Sequence, residues 1–233
     1  MQVEIPARQR TKVHCFLEMQ ALAVSVSAQT VIVLTCIMHR MNTVPIRSLG
    51  KTHRDRIAQH LLSLSPHDRY LRFGYSAKDE HIKQYVAKLD FDRDEIFGIY
   101  NRKLLLIATA HLACTGDKFG QPLAEFGVSV LSEARGKGYG TLLFERAIKH
   151  ARNRGIESML IHALSENAAM LKIASKAGAR VQKEGPNCEA YLRLPKATLD
   201  TRFSEMIEAQ VAKKDYQFKV FSRQFFCLTG NDQ

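Results

Sequence analysis

At 233 residues, 45% hydrophobic and 24% charged, the chain can form one well-buried domain with extensions and has the make-up of a globular protein. Its five cysteines are scattered, odd in number and without a C-x-x-C pair, which argues against a disulfide framework or a zinc site and for a reducing cytoplasm. A formal net charge of +11 favours anionic partners; with no long basic run and no groove-reading motif, nucleic acid is disfavoured against a phosphorylated small molecule or an acidic protein surface.

Residues 1–43 form an N-terminal extension. Within it, Ala21–Met38 approaches the length of a bilayer span. Ser25, Ser27, Gln29, Thr30 and Thr35 dilute its apolar character, and it fits a signal peptide poorly. An arm, or a start at Met41, is preferred to a membrane segment. Val44–Leu49 reads as an edge strand because Pro45 cannot donate to a ladder. Asp55–Leu64 is a helical run closed, or followed by a new turn, at Ser65-Pro66. His67–Tyr75 is dense in arginine and aromatic residues. Lys78–Leu89 is a second helix carrying Ile82, Tyr85, Val86 and Leu89. Glu95–Tyr100 and Leu104–Leu112 pair across Asn101-Arg102-Lys103, and after the polar loop Gly116–Gln121 comes a strand, Ala124–Val130. An amphipathic helix follows (Thr141–Arg154), then a strand (Ser158–Ala163), a short helix from Ser165-Glu166-Asn167 to Ala177, and a last strand, Glu189–Leu194. The domain so outlined is 44–195. The tail 196–233 is helical, with Leu199, Phe203, Met206, Ile207 and Val211 on one stripe that could pack back or pair with a second copy; its basic end (Lys213, Lys214, Lys219, Arg223) reads as solvated surface.

Residues 135–140, R-G-K-G-Y-G, lie between the strand and the amphipathic helix. Gly136, Gly138 and Gly140 let the chain turn sharply and leave amides bare. A helix starting there aims unpaired donors and the positive end of its dipole at one point, a corner suited to phosphate. Arg135 and Lys137 add charge to it. It is not a Walker A loop: Gly50-Lys51-Thr52 matches only the tail, and Pro45 stands where the first glycine belongs. It is not a dinucleotide fingerprint either, because Thr141 takes the third glycine's place.

Arg135, Gly138 and Gly140 do fit R/Q-x-x-G-x-G/A directly after a strand, and this resembles the acetyl-CoA-binding motif of the GNAT-type N-acetyltransferase superfamily. Three further runs, A-E-F-G-V-S-V, N-A-A-M-L-K-I-A-S-K-A-G-A and L-S-P with R-Y-L-R-F, look like the GNAT domain of bacterial protein lysine acetyltransferases. The resemblance covers roughly residues 44–195. It implies an α/β (α+β) fold: a mixed, mostly antiparallel central sheet with splayed central strands, flanked by helices. It implies acetyl-CoA as cosubstrate, its pyrophosphate held by Arg135, Gly136, Lys137, Gly138, Tyr139 and Gly140, and its pantetheine arm by the backbone of Val128, Ser129 and Val130 and by Asn167, which could also cap its helix.

Acetyl transfer from a thioester to an amine needs a base and donors for the developing oxyanion. By the same resemblance Glu125, ten residues before Arg135, is the base. Half-burial beside Phe126 would raise its pKa. On an alternating strand it could equally face solvent. Arg69, Tyr70, Arg72 and Phe73 would lie on the acceptor side, with Arg69 and Arg72 contacting substrate. The superfamily's proton-donating tyrosine, seven residues after the asparagine, is replaced by Ala174; water or Tyr191 would substitute. The acceptor is a protein lysine, with a small amine close behind. A non-catalytic CoA-binding module is the rival reading. No metal site is expected.

Overall fold

The computed structural model describes residues 44–116 and 120–228, with no side-chain account of 225–228. The Ala21–Met38 segment lies outside the described residues. Among them, no helix is long and apolar enough to cross a membrane, and no cluster of three His, Cys, Asp or Glu could hold a metal.

The chain runs β1 (Arg47–Ser48), α1 (Arg54–Leu62), α2 (Pro66–Phe73), α3 (Asp79–Ala87), β2 (Glu95–Tyr100), β3 (Leu106–Gly116), β4 (Pro122–Val130), α4 (Tyr139–Asn153), β5 (Ser158–Leu164), α5 (Ala168–Lys176), β6 (Arg180–Glu184), β7 (Asn187–Arg193) and α6 (Leu199–Leu228). One seven-stranded sheet has the order β1-β2-β3-β4-β5-β7-β6, antiparallel throughout except for β4 against β5. This is the mixed, mostly antiparallel sheet expected from the sequence.

Two elements went unread. His67–Tyr75 is mostly α2: the Ser65 hydroxyl caps it by accepting from the Asp68 amide, Pro66 supplies the fixed φ of a first helical residue, and Gly74 ends it at φ 78°. Strand β6 is a sheet edge whose residues are exposed apart from half-buried Val181, so it lacks the apolar alternation that reveals a strand. The hairpin turn is also longer than three residues. Asn101 Oδ1 accepts from the Leu105 amide, and Leu104 sits at φ 59°.

Side chains alternate across the sheet. Ala108, Ala110, Leu112, Ala124 and Phe126 are buried, and Phe126 meets the edge of Phe144 on α4, ring centroids 4.9 Å apart. Buried Leu143, Phe144, Ala147 and Ala151 recur at helical spacing and form the α4 side of this core. On the other face, β3 and β4 turn His111, Gly127 and Ser129 toward α1–α3, whose Ile57, Leu61, Ile82 and Val86 are buried.

The tail docks by the opposite face from the one its pattern suggests. Leu199, Phe203, Met206 and Ile207 point to solvent, each more than half exposed. Contact with α4 is made by charge: Glu205 accepts from His150 Nδ1 at 2.7 Å and pairs with buried Arg146 at 2.8 Å, and Lys149 pairs with Glu208. Further along, Tyr216 lies 3.9 Å under the Arg47 guanidinium and 5.1 Å from the Tyr100 ring. Lys213, Lys214 and Arg223 are exposed, Arg223 donating to the Lys103 carbonyl, while Lys219 is half-buried and donates to the Tyr100 carbonyl.

Candidate active site

Strand β4 pairs with β3 along its whole length, but with β5 only over Leu123, Ala124 and Glu125. Beyond Glu125 the two strands part. Leu131 N–H bonds Ile107 O on the β3 side, and Pro122 O accepts from Glu157 N on the β5 side. By alternation, Val128 and Val130 turn their backbone groups into the gap, while Ser129 turns its own toward β3. The gap opens into a cleft of about 1000 Å³ whose walls include Glu125–Val130, Arg135, Gly136, Gly138–Thr141, Asn167, Arg72 and Tyr85.

At one end of the cleft is the start of α4. Gly138 is its N-cap at φ 75° and no side chain caps it, so the amides of Tyr139, Gly140 and Thr141 have no partner within the helix. Gly136, at φ 77°, makes the bend before it. Gly140 serves packing: a Cβ there would stand 3.3 Å from the Ile173 side chain of α5. Arg135 bonds the Asp68 carboxylate, which Ser65 Oγ also donates to at 2.7 Å. Burial would raise the Asp68 pKa, but Arg135 and Ser65 together hold it below the ordinary carboxylate value. Asn167 Oδ1 accepts from the Met170 amide at 3.1 Å, capping α5, while the residue lines the cleft.

At the other end stands Glu125. It is exposed, and Phe126 points to the opposite face of the sheet, so the half-buried apolar setting expected for it is not what the fold provides. Glu184 and Glu189 also line the cleft, with Tyr191 Oη donating to Glu189 at 2.7 Å. Arg72 lies over the backbone of Gly127; a Cβ on that glycine would stand 2.5 Å from the guanidinium carbon. Arg72 Nη2 donates to Tyr85 Oη at 3.0 Å.

Several expected residues are elsewhere. Arg69 is not on the cleft: its guanidinium donates to the carbonyls of Leu62 and Leu64 and pairs with Asp79 at 2.6 Å, tying α1, α2 and α3 together. Lys137 is exposed and outside the cleft walls. Tyr191 is 41% exposed and likewise outside them. Ser129 lines the cleft, but its hydroxyl lies 2.8 Å from His60 Nε2 and its backbone faces β3, so the arm-binding backbone expected of Val128–Val130 reduces to the two valines. Cys188 is buried, 3.4 Å from Ser165 Oγ. Sequence reasoning missed Tyr85, His111 and Asp94 as a linked group, since 26 and 17 residues separate the bonded pairs and no motif joins them.

The sequence model of the acetyltransferase (GNAT) family matches residues 58–179. Among solved structures, the GNAT domain of S. lividans PAT superposes with a TM-score of 0.54 at 22% identity, over 64% of this chain and 89% of that one. Spermidine N-acetyltransferase from Vibrio cholerae, solved with CoA and spermine, superposes with a TM-score of 0.51 at 17% identity, over 64% and 94%. At these identities the likeness is one of fold.

Proposed function

The chain belongs to the acetyltransferase (GNAT) family, which makes it an acyltransferase, and on that premise we propose that it moves an acetyl group from acetyl-CoA to a primary amine, a protein lysine being the preferred acceptor. The observation carrying this reading is the gap between β4 and β5, with an uncapped helix start at one end, Glu125 at the other, and Glu184 and Glu189 among its walls. The residues fit the cofactor: the amides of Tyr139, Gly140 and Thr141, with Arg135, would hold a pyrophosphate, and the open backbone of Val128 and Val130, with the Asn167 side chain, would hold an amide-bearing arm. When bound, acetyl-CoA supplies an activated acyl thioester. A Val128 amide facing the gap can donate to an acyl oxygen. Glu125, Glu184 and Glu189 attract a cationic amine into a molecule that is otherwise basic. Glu125 takes its proton, directly or through a water, leaving the lone pair that attacks.

A small polyamine is the second reading, favoured by the same three carboxylates and by the function of the Vibrio cholerae neighbour. Free thiols at Cys114 and Cys188 suit a reducing, cytoplasmic setting. For a homodimer, the outward stripe of Leu199, Phe203, Met206 and Ile207 is the surface to be covered.

The test is thiol release from acetyl-CoA with Nα-acetyl-lysine amide and with spermine, alongside acetyl-CoA titration calorimetry. Gly138→Asp strains the turn at φ 75° and sets a negative charge at the corner, so the Kd for acetyl-CoA should rise at least about tenfold. Glu125→Gln should bind normally and lose about 100-fold in kcat/KM. An unchanged Kd in Gly138→Asp refutes the cofactor corner. Binding without thiol release in the wild type would make the protein a CoA-binding module.

A further inference from the structure

Beneath Glu125, on the α1–α3 side of the sheet, four polar side chains from four elements of the chain form a single hydrogen-bonded line. Arg72 Nη2 donates to Tyr85 Oη at 3.0 Å; Tyr85 Oη lies 2.7 Å from His111 Nδ1; His111 Nε2 lies 3.0 Å from Asp94 Oδ2. The other Asp94 oxygen accepts from the Cys114 amide and from Arg93 Nε, both at 3.1 Å. With the imidazole neutral, the carboxylate, which only accepts, puts the ring hydrogen on Nε2; Nδ1 is then bare and accepts from the Tyr85 hydroxyl. Asp94 is buried and the His111 side chain is 16% exposed. A void of about 10 Å³ beside Arg72, Tyr85 and His111 has room for one water at most. Tyr85 and Arg72 line the cleft with Glu125, whereas His111 and Asp94 do not.

We infer that Tyr85, His111 and Asp94 are a proton relay for the acceptor nitrogen, Tyr85 touching the amine and the other two acting through it as positioning residues. The inference rests on the transferase reading and deepens it. A primary ammonium must shed two protons before it is an amide, and Glu125 accounts for one. As the C–N bond forms and the C–S bond breaks, the second passes from nitrogen to Tyr85 Oη while the tyrosine's own proton moves to His111 Nδ1. Asp94 then faces an imidazolium. The leaving sulfur takes a proton back from Tyr85 Oη, His111 returns one to the tyrosine, and the line is restored with no net change. The groups facing His111 are Tyr85 on α3, Asp94 before β2, Arg72 on α2 and Glu125 on β4. Burial is the largest influence and Arg72 adds to it; against Asp94 and Glu125 they keep the imidazole pKa below its ordinary value, so Nδ1 is bare and ready at neutral pH. The same line supplies a tyrosine at the cleft although Ala174 occupies the position where the sequence resemblance expected one.

Asp94→Asn separates this from a structural role. The amide oxygen keeps the Cys114 and Arg93 contacts, and its nitrogen replaces Oδ2 and donates to Nε2. The imidazole hydrogen must then move to Nδ1, where it can no longer accept from Tyr85. Nitrogen-15 spectra of the cofactor-free protein should show the Nε2–H form of His111 in the wild type and the Nδ1–H form in Asp94→Asn. Thiol release with Nα-acetyl-lysine amide or spermine should fall about 100-fold in kcat/KM, with the Kd for acetyl-CoA within twofold. Tyr85→Phe, which keeps the ring against Phe73 and His111, should lose as much, and the double variant little more. An Nδ1–H wild type, or variants turning over within threefold of it, overturns the relay while leaving the transferase reading intact. A wild type inert toward both amines overturns both. If Asp94→Asn fails to fold, Tyr85→Phe decides.

Discussion

His60 makes the sharpest stability prediction. It is 2% exposed, with Nδ1 2.8 Å from Leu106 O and Nε2 2.8 Å from Ser129 Oγ. A carbonyl only accepts, so Nδ1 carries the hydrogen, Nε2 accepts from Ser129, and the ring is neutral. Burial lowers its pKa to about 4, with the positive charge of Arg72 helping and the Leu106 carbonyl resisting. An unfolded histidine binds a proton below about 6.5, whereas this one binds none until about 4, so its contribution is complete above 6.5 and is lost as pH falls between those values. Integrated from pH 7.5 to 4.5, the loss is about 2–3 kcal/mol. Urea unfolding at both pH values, in wild type and in His60→Gln, isolates it from the other ionisations, His111 among them. The variant should be less stable at pH 7.5, since the Leu106 carbonyl loses its donor, but its stability should fall by about 2–3 kcal/mol less on acidification. Equal falls in the two proteins would show that His60 is not held neutral by the fold, and the assignment of the Ser129 hydroxyl would go with it.

Val128→Pro removes an amide that faces the gap and leaves the β3 ladder whole; we expect a folded protein that no longer binds acetyl-CoA measurably by calorimetry. Gly127→Ala sets a Cβ 2.5 Å from the present place of the Arg72 guanidinium, whose flexible stem lets it move off Tyr85; acetyl-CoA binding should persist while kcat/KM for the amine falls at least about tenfold. Glu205→Gln tests the tail: burial opposes ionisation, but hydrogen bonds from His150 and Asn153 and the charge of Arg146 hold the carboxyl at about 2, so its contribution is present above about 4.5 and fades toward 2. Allowing for solvent at this helix edge, chemical denaturation should find the variant about 1–2 kcal/mol less stable at pH 7, with the gap closing as pH falls toward 2.

What could be read in the sequence was local. The turn at 135–140, the strand before it, α4 after it and the Asn167 cap each declare themselves within a few residues, through positive-φ glycines, alternation, helical spacing and an N-cap side chain. Helix α2 has equally local signals at Ser65, Pro66 and Gly74, although the stretch was expected only to be dense in arginine and aromatic residues on the acceptor side. Other features were not local at all. An apolar stripe says which face of a helix is oily, not which face finds a partner, and α6 found Arg146 and Lys149 through its acidic face. Alternation placed Glu125 opposite Phe126 without saying that the glutamate itself would be exposed. Arg69 and Arg72 sit three apart on one helix, yet one closes on backbone carbonyls and the other reaches the cleft, a difference set by where α1 ends and β4 runs.

The division of labour on β4 follows from the two-residue repeat of an extended chain. Even-numbered residues send backbone groups toward β5, and where β5 leaves they are open to a ligand; Phe126, at the start of that stretch, puts its side chain into the core. Gly127 and Ser129 close their backbone on β3 and meet Arg72 and His60 on the face toward α1–α3. On the proposed function, the cofactor would meet mainly backbone amides, with Arg135 and Asn167 beside them, while the acceptor would meet side chains. That asymmetry is why the corner at 135–140 was legible from residue types and the relay of Tyr85, His111 and Asp94 was not.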